Sequence, residues 1–207
     1  MSCWSAENAT NAYLRVIKMG KREKEPEAAE FISALVAGTN ARLTVMVCAD
    51  AVDYSTTLAL VAAAQQTGGK VICILPGANE LQLSKDILGQ NNAENIKFVI
   101  GNAQNVLENE YREADCIVID CSLANCEGIL KTAKGFGRNV MVLGYNAFWR
   151  CQGLDGHLLP IGEGLLVSRV AAPPKSGRSY GGSGKKSRWV VKVDEFTGEE
   201  HVFRVRN

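Results

Sequence analysis

The chain has 207 residues, 46% of them hydrophobic, and its 23 basic and 22 acidic side chains leave a net charge of +1. That length suits one core domain of about 150 residues with appendages, and the balanced charge gives no global pull toward nucleic acid or an anionic membrane. No apolar run reaches the roughly 18 residues of a membrane span, and Met1-Ser2-Cys3-Trp4-Ser5 has no basic-then-apolar leader pattern, so a soluble intracellular protein, cytoplasmic or nuclear, is expected.

Residues 1–26 read as an N-terminal helical arm, with a helix over Ala6–Lys18 that presents Ala9, Tyr13 and Val16 on one side. The core domain is expected over 27–170. It opens with an amphipathic helix, Glu27–Val36, whose stripe carries Ala28, Phe31, Ile32 and Leu35 and which Gly38 stops. Short β-branched runs then alternate with helical stretches. The strands are Leu43–Cys48, Lys70–Leu75, Ile96–Ile100, Cys116–Ile119 and Val140–Leu143; the helices lie near Thr56–Thr67, Leu81–Leu88, Ala103–Tyr111 and Leu123–Phe136. Continuous apolar strands separated by helices imply a doubly wound α/β fold, a parallel sheet covered on both faces. Right-handed crossovers put the loops after Cys48, Leu75, Ile100 and Asp120 along one edge, where functional groups should gather.

After Leu143 the pattern changes. His157–Ile161 and Leu165–Val170 read as two strands joined by Gly162-Glu163-Gly164, with no helix-length segment before them. The expected sheet has seven strands, with Leu165–Val170 antiparallel to its neighbours. Without a crossover helix, apolar sheet is left open, and a second copy of the chain or the C-terminal hairpin is expected to cover it.

Residues 171–187 are rich in Pro, Gly and Ser and carry Lys175, Arg178, Lys185 and Lys186, with Arg188 just beyond, the pattern of a flexible basic linker. Its Gly181-Gly182-Ser183-Gly184-Lys185-Lys186 run misses the spacing of a phosphate loop and precedes a strand instead of a helix. Scattered cations of this kind give only weak, salt-sensitive contact with RNA or DNA phosphates, so the expected partner is a small molecule or a protein. Residues 188–207 read as an added β-hairpin, Trp189–Val193 and His201–Val205 about a turn at Gly198, with Trp189, Val191 and Val193 on one face. A lone hairpin is marginal in water and is expected to dock on the core or on a partner.

Seven cysteines fit a reducing compartment. Cys48, Cys73 and Cys116 sit in apolar strand runs, where a thiol behaves as a small hydrophobe. Cys121, Cys126 and Cys151 have more polar settings near the strand ends. With no Cys-x-x-Cys and only two histidines, no metal site is expected.

The first strand-to-helix turn is where a nucleotide-like cofactor meets helix N–H groups in parallel α/β sheets. Here it reads Ala49-Asp50-Ala51-Val52-Asp53-Tyr54-Ser55 and holds no glycine. Asp50 and Asp53 read first as caps of the following helix, with ligand contact as the alternative. Asp120, a carboxylate at the end of the fourth strand, is a candidate cleft residue or a helix cap. His157 reads as a strand residue, since no partner for catalysis can be named. Phe148 and Trp149 read as packing.

Several segments together resemble the class I S-adenosylmethionine-dependent methyltransferases, and locally the caffeoyl-CoA type of O-methyltransferase. They are Glu25 to Ala37, Tyr54-Ser55, Ile96-Lys97-Phe98 with Gly101-Asn102-Ala103, Ile117-Val118-Ile119-Asp120, Gly144-Tyr145, and Leu159 to Gly164. The whole chain, with its Trp4-Ser5 start and its Arg188-Trp189 to Phe203-Arg204 hairpin, is similar to a plant family of methyltransferase-like proteins of unknown function. The resemblance implies a Rossmann-like sheet with a C-terminal antiparallel strand pair, and S-adenosylmethionine as cofactor. It implies that Gly101, Asn102 and Ala103 face the adenine, that Tyr54 and Ser55 end the cofactor turn, and that Asp120 matches a metal-binding carboxylate.

Departures from that pattern bear on function. The family's acidic-x-Gly-x-x-x-Gly falls on Val47, Ala49 and Asp53, whose side chains intrude where glycine permits close approach. Its ribose-binding acid falls at about Leu75, and its Asp-Asn metal pair falls around Tyr145-Asn146-Ala147. One carboxylate of three oxygen ligands holds a hard cation poorly. Three functions follow as expectations: a methyltransferase-fold ligand-binding or interaction module with little methyl transfer; an active methyltransferase with a divergent cofactor turn; or an adaptor that touches nucleic acid through its basic linker.

Overall fold

The computed structural model describes residues 4–19, 28–148, 156–171, 187–193 and 200–206. The basic linker with its glycine run at 181–186, the positions of Cys3, Trp149 and Cys151, and the hairpin turn at Gly198 lie outside these residues. The chain divides into two compact units, Met1–Pro173 and Pro174–Asn207.

In the first unit, β1 (Leu43–Val47), β2 (Lys70–Leu75), β3 (Ile96–Ile100), β4 (Cys116–Asp120) and β5 (Val140–Tyr145) are parallel. They join β6 (His157–Leu159) and β7 (Leu165–Val170) in the order β3-β2-β1-β4-β5-β7-β6. β7 is antiparallel to both neighbours, as the sequence predicts. β6 is shorter than expected because Pro160 has no N–H to continue the ladder.

Helices α1 (Ala6–Met19), α2 (Ala28–Gly38), α3 (Tyr54–Thr67) and α4 (Ala78–Ala93) lie on one side. Helices α5 (Ala103–Glu110) and α6 (Cys126–Lys134) cover the other with Leu107, Ile129 and Leu130. α3 is buried almost all round: Leu60, Val61 and Ala63 meet the sheet, while Ala59 and Ala62 meet Val16 of α1 and Ala29 of α2. Its small residues let α1 and α2 approach as a further layer. α3 ends at Gly68, whose φ of +64° only glycine adopts without strain.

α2 buries Ala29, Ile32, Ser33, Val36 and Ala37, a stripe rotated from the one expected through Phe31. Packing between α1, α3 and the sheet decides the face, and Phe31 is left 36% exposed with Tyr13 edge-on to it at 6.4 Å. α6 begins later than expected because Asp120 folds the preceding residues into a turn, accepting from Ser122 N–H at 2.9 Å on its carboxylate and from Leu123 N–H at 3.1 Å on its carbonyl. Among the described residues no helix separates β5 from β6. Leu166 and Ser168 on β7 are nonetheless buried, so the open apolar sheet expected there is not found at these positions.

All five described cysteines are buried, Cys121 and Cys126 included. In the second unit, β8 (Ser187–Val193) pairs antiparallel with β9 (Glu200–Arg206), the predicted hairpin. Among the described residues no helix is long and apolar enough to cross a membrane.

Candidate functional site

The site lies where the strand order reverses, at the C-terminal ends of β1 and β4. The β1–α3 turn there is closed by its own residues. Val52 buries its side chain in the main core, and its N–H donates to Ser84 Oγ of α4 at 3.1 Å. Ser84 is fully buried and donates in turn to the Glu80 carbonyl at 2.6 Å.

Asp53 then caps α3. Its Oδ1 accepts from Thr56 N–H at 2.7 Å and from the Ser55 hydroxyl at 3.1 Å, while its carbonyl accepts from the Thr57 hydroxyl at 2.6 Å. The positive end of this helix is thus already met by a carboxylate of the same chain.

Beside this cap opens a cleft of about 280 Å³. Asp53, Ser55 and Thr56 form one wall, Ala28 and Ala29 at the start of α2 another, and Tyr145 and Asn146 with Gly162 and Glu163 complete it. The β6–β7 turn is held to the exit of β5 by Ala147 N–H to the Gly164 carbonyl (3.0 Å) and Phe148 N–H to the Glu163 carbonyl (3.2 Å). Gly164 is required there: its φ is +92°, and a Cβ would lie 2.7 Å from the Phe148 nitrogen.

Tyr145 stands beside Asp120 in the β4–β5 register and is 6% exposed. Its hydroxyl makes no hydrogen bond among the described residues. Burial pushes that phenol far above its usual range, and the nearby Cys48, Asp120 and Asp53 push it further. Asn146 donates its amide N–H to Asp120 Oδ1 at 3.2 Å. That bond accompanies a left-handed backbone, φ +56°, which asparagine tolerates better than most residues.

The candidate residues separate into groups. Asp53 and Ser55 line the cleft, and Asp120 stands behind it against Asn146 and Tyr145. Ala49 and Asp50 lie in the closed turn, and Tyr54 is the exposed first residue of α3; none of the three lines the cleft. Gly101, Asn102 and Ala103 lie at the β3–α5 junction, on the edge strand. There Asn102 caps α5, its Oδ1 accepting from Asn105 N–H at 3.1 Å. Leu75, at the position of the ribose-binding acid, is fully buried in the main core.

Sequence reasoning missed Tyr145, Thr56 and Glu163 as cleft residues. Tyr145 ends an apolar strand and Glu163 sits in a glycine turn, and neither pattern signals a pocket. Also unforeseen is Glu80, whose carboxylate lies over the β2–α4 turn; a Cβ on Gly77 would be 2.6 Å from its Oε2.

The residues do not fit the divalent metal implied by the caffeoyl-CoA resemblance. Asn146 turns an N–H, a donor, toward Asp120, and no three His, Cys, Asp or Glu side chains gather into a metal-binding group among the described residues.

Comparison with solved structures gives the same fold. A methyltransferase from Geobacter sulfurreducens superposes with a TM-score of 0.54 at 16% identity, over 80% of this chain and 91% of its own. A putative caffeoyl-CoA O-methyltransferase from Staphylococcus aureus gives 0.55 at 14%, over 81% and 93%. An SAH-bound methyltransferase from Podospora anserina gives 0.55 at 13%, over 83% and 90%. No curated protein matches the sequence. The family described as "Protein of unknown function (DUF1442)" matches residues 1–205. On that match across nearly its whole length, and with a class I methyltransferase fold beneath it, the chain belongs to the DUF1442 family.

Proposed function

We propose that this protein is a methyltransferase-fold ligand-binding or interaction module that carries out little or no methyl transfer. The observation that carries the reading is the self-capped β1–α3 turn: Val52 anchors it to the main core and the Asp53 carboxylate sits on the α3 N-terminus. A cofactor that used those N–H groups would first have to displace a cap worth about 1 kcal/mol. With Leu75 in place of an acid, buried ribose hydroxyls would go unpaired at about 1–3 kcal/mol each. Against a free energy near −7 kcal/mol for a binding constant of about 10 μM, these losses are decisive.

A second reading rests on Glu80. Its carboxylate over Gly77 is a hydrogen-bond acceptor close to the end of β2, and supports an active S-adenosylmethionine-dependent methyltransferase with a divergent cofactor turn. Radiolabelled methyl transfer to catechol-like acceptors separates the two, measured with and without magnesium. The first reading expects no turnover above background in either condition. Turnover abolished by Glu80→Gln would establish the second, and turnover lost on chelation and in Asp120→Ala would reveal a metal site built differently from the one tested above.

A further inference from the structure

Among the described residues, none of the side chains facing the cleft is cationic. Asp53 gives one carboxylate oxygen, Oδ1, to its helix. Glu163 is exposed and makes no side-chain hydrogen bond or ion pair among the described residues. Asn146 donates its amide N–H to Asp120, which leaves its amide oxygen as the group available to a ligand. Asp53, Glu163 and Asn146 therefore each present an acceptor oxygen to the cleft.

Tyr145 supplies an independent observation. It is 94% buried by its 6% exposure, it lines the cleft, and its hydroxyl is without a hydrogen-bond partner among the described residues. Among the described residues the one fully buried, unpaired side-chain polar atom is the Tyr111 hydroxyl; the Tyr145 hydroxyl instead opens onto the cleft from a buried ring, where a ligand atom can meet it. An anion is a poor candidate, because the α3 N-terminus is already neutralised by Asp53. The α2 N-terminus contributes only about half a positive charge, against the full charges of Asp53 and Glu163 with Asp120 just behind. The balance favours a cation. At about 280 Å³ the cleft falls below the range that encloses a drug-sized molecule, roughly 300–1,000 Å³, so the cation is small.

We propose that this cleft binds a small organic primary ammonium ion, its N–H groups donating to the Tyr145 hydroxyl and to the Asp53 and Glu163 carboxylates. The assignment rests on reading the cleft as a ligand site and adds the ligand's chemical class.

The test is calorimetric titration of the full chain with n-butylammonium, alongside tetramethylammonium, which carries the same charge and no N–H donor. Tyr145→Phe removes one oxygen and keeps the ring, so it is suited to retain the fold; Glu163→Gln changes an exposed turn residue. The expected result is saturable one-site binding of n-butylammonium, no comparable binding of tetramethylammonium, and affinity about tenfold weaker in each variant. Absence of saturable binding, equal binding of the two cations, or unchanged affinity in Tyr145→Phe overturns the proposal. A parallel titration with S-adenosylmethionine keeps the two levels apart. Tight binding there defeats the functional reading, whereas failure of the amine alone defeats only the ligand class.

Discussion

Replacing Asp53 with alanine removes the hydrogen bonds that its Oδ1 accepts from Thr56 N–H (2.7 Å) and the Ser55 hydroxyl (3.1 Å), and with them the negative charge at the start of α3. Loss of an aspartate cap costs about 1 kcal/mol, and loss of its charge interaction with the helix end about 0.5 kcal/mol at an exposed position. The sum, about 1.5 kcal/mol, corresponds to a fall in melting temperature of about 3–6 °C for a unit of this size. Asp53→Asn keeps a capping oxygen and loses only the charge, so it should fall by about a third as much. Asp53→Gly should lie between Asn and Ala, since glycine replaces a cap at a cost of a few tenths of a kcal/mol. Thermal melts followed by far-ultraviolet circular dichroism rank the variants. An alanine variant that melts with the wild type, or an asparagine variant as unstable as the alanine one, would refute the capping role.

Three further outcomes are expected. Tyr145 is favoured as the neutral phenol by burial, so its pKa in the folded state is raised above the unfolded value of about 10. Its contribution to stability is complete below that pH and is lost as the pH climbs toward the folded value; urea denaturation should show Tyr145→Phe losing less stability than the wild type above about pH 10. Ser84→Ala leaves the buried Val52 N–H without its 3.1 Å partner and should cost about 2 kcal/mol of unfolding free energy measured by urea denaturation, a loss below about 0.5 kcal/mol showing that the turn is held otherwise. Asn146→Ala and Asn146→Gly both lose the bond to Asp120, but only alanine is strained at φ +56°, so the glycine variant should be the more stable by about 1 kcal/mol.

Much of the sheet is legible in the sequence because each strand is a short β-branched run of its own, such as Val71 to Leu75 or Ile117 to Ile119, bounded by helical composition. The antiparallel β7 is legible from Gly162-Glu163-Gly164, which leaves no length for a crossover. Asp53 as a cap is equally local, lying three residues before the N–H it accepts. Long-range relations are not legible. Phe31 looks like part of a buried stripe until α1 and α3 fix the face that α2 turns inward. Val52 and Ser84 are 32 residues apart, and no local pattern joins the turn to α4. The cleft is the extreme case: Ala28, Asp53, Tyr145 and Glu163 meet only because β5 neighbours β4 and the β6–β7 turn reaches back beside α2. Each of these residues has an ordinary local reading.

The central claim is that the β1–α3 turn has given up its cofactor role by capping itself. Isothermal titration of the purified full chain with S-adenosylmethionine tests this most directly. The account predicts no saturable binding tighter than about 10 μM, that is, a binding free energy weaker than roughly −7 kcal/mol. A single saturable site with a dissociation constant below that value would contradict it.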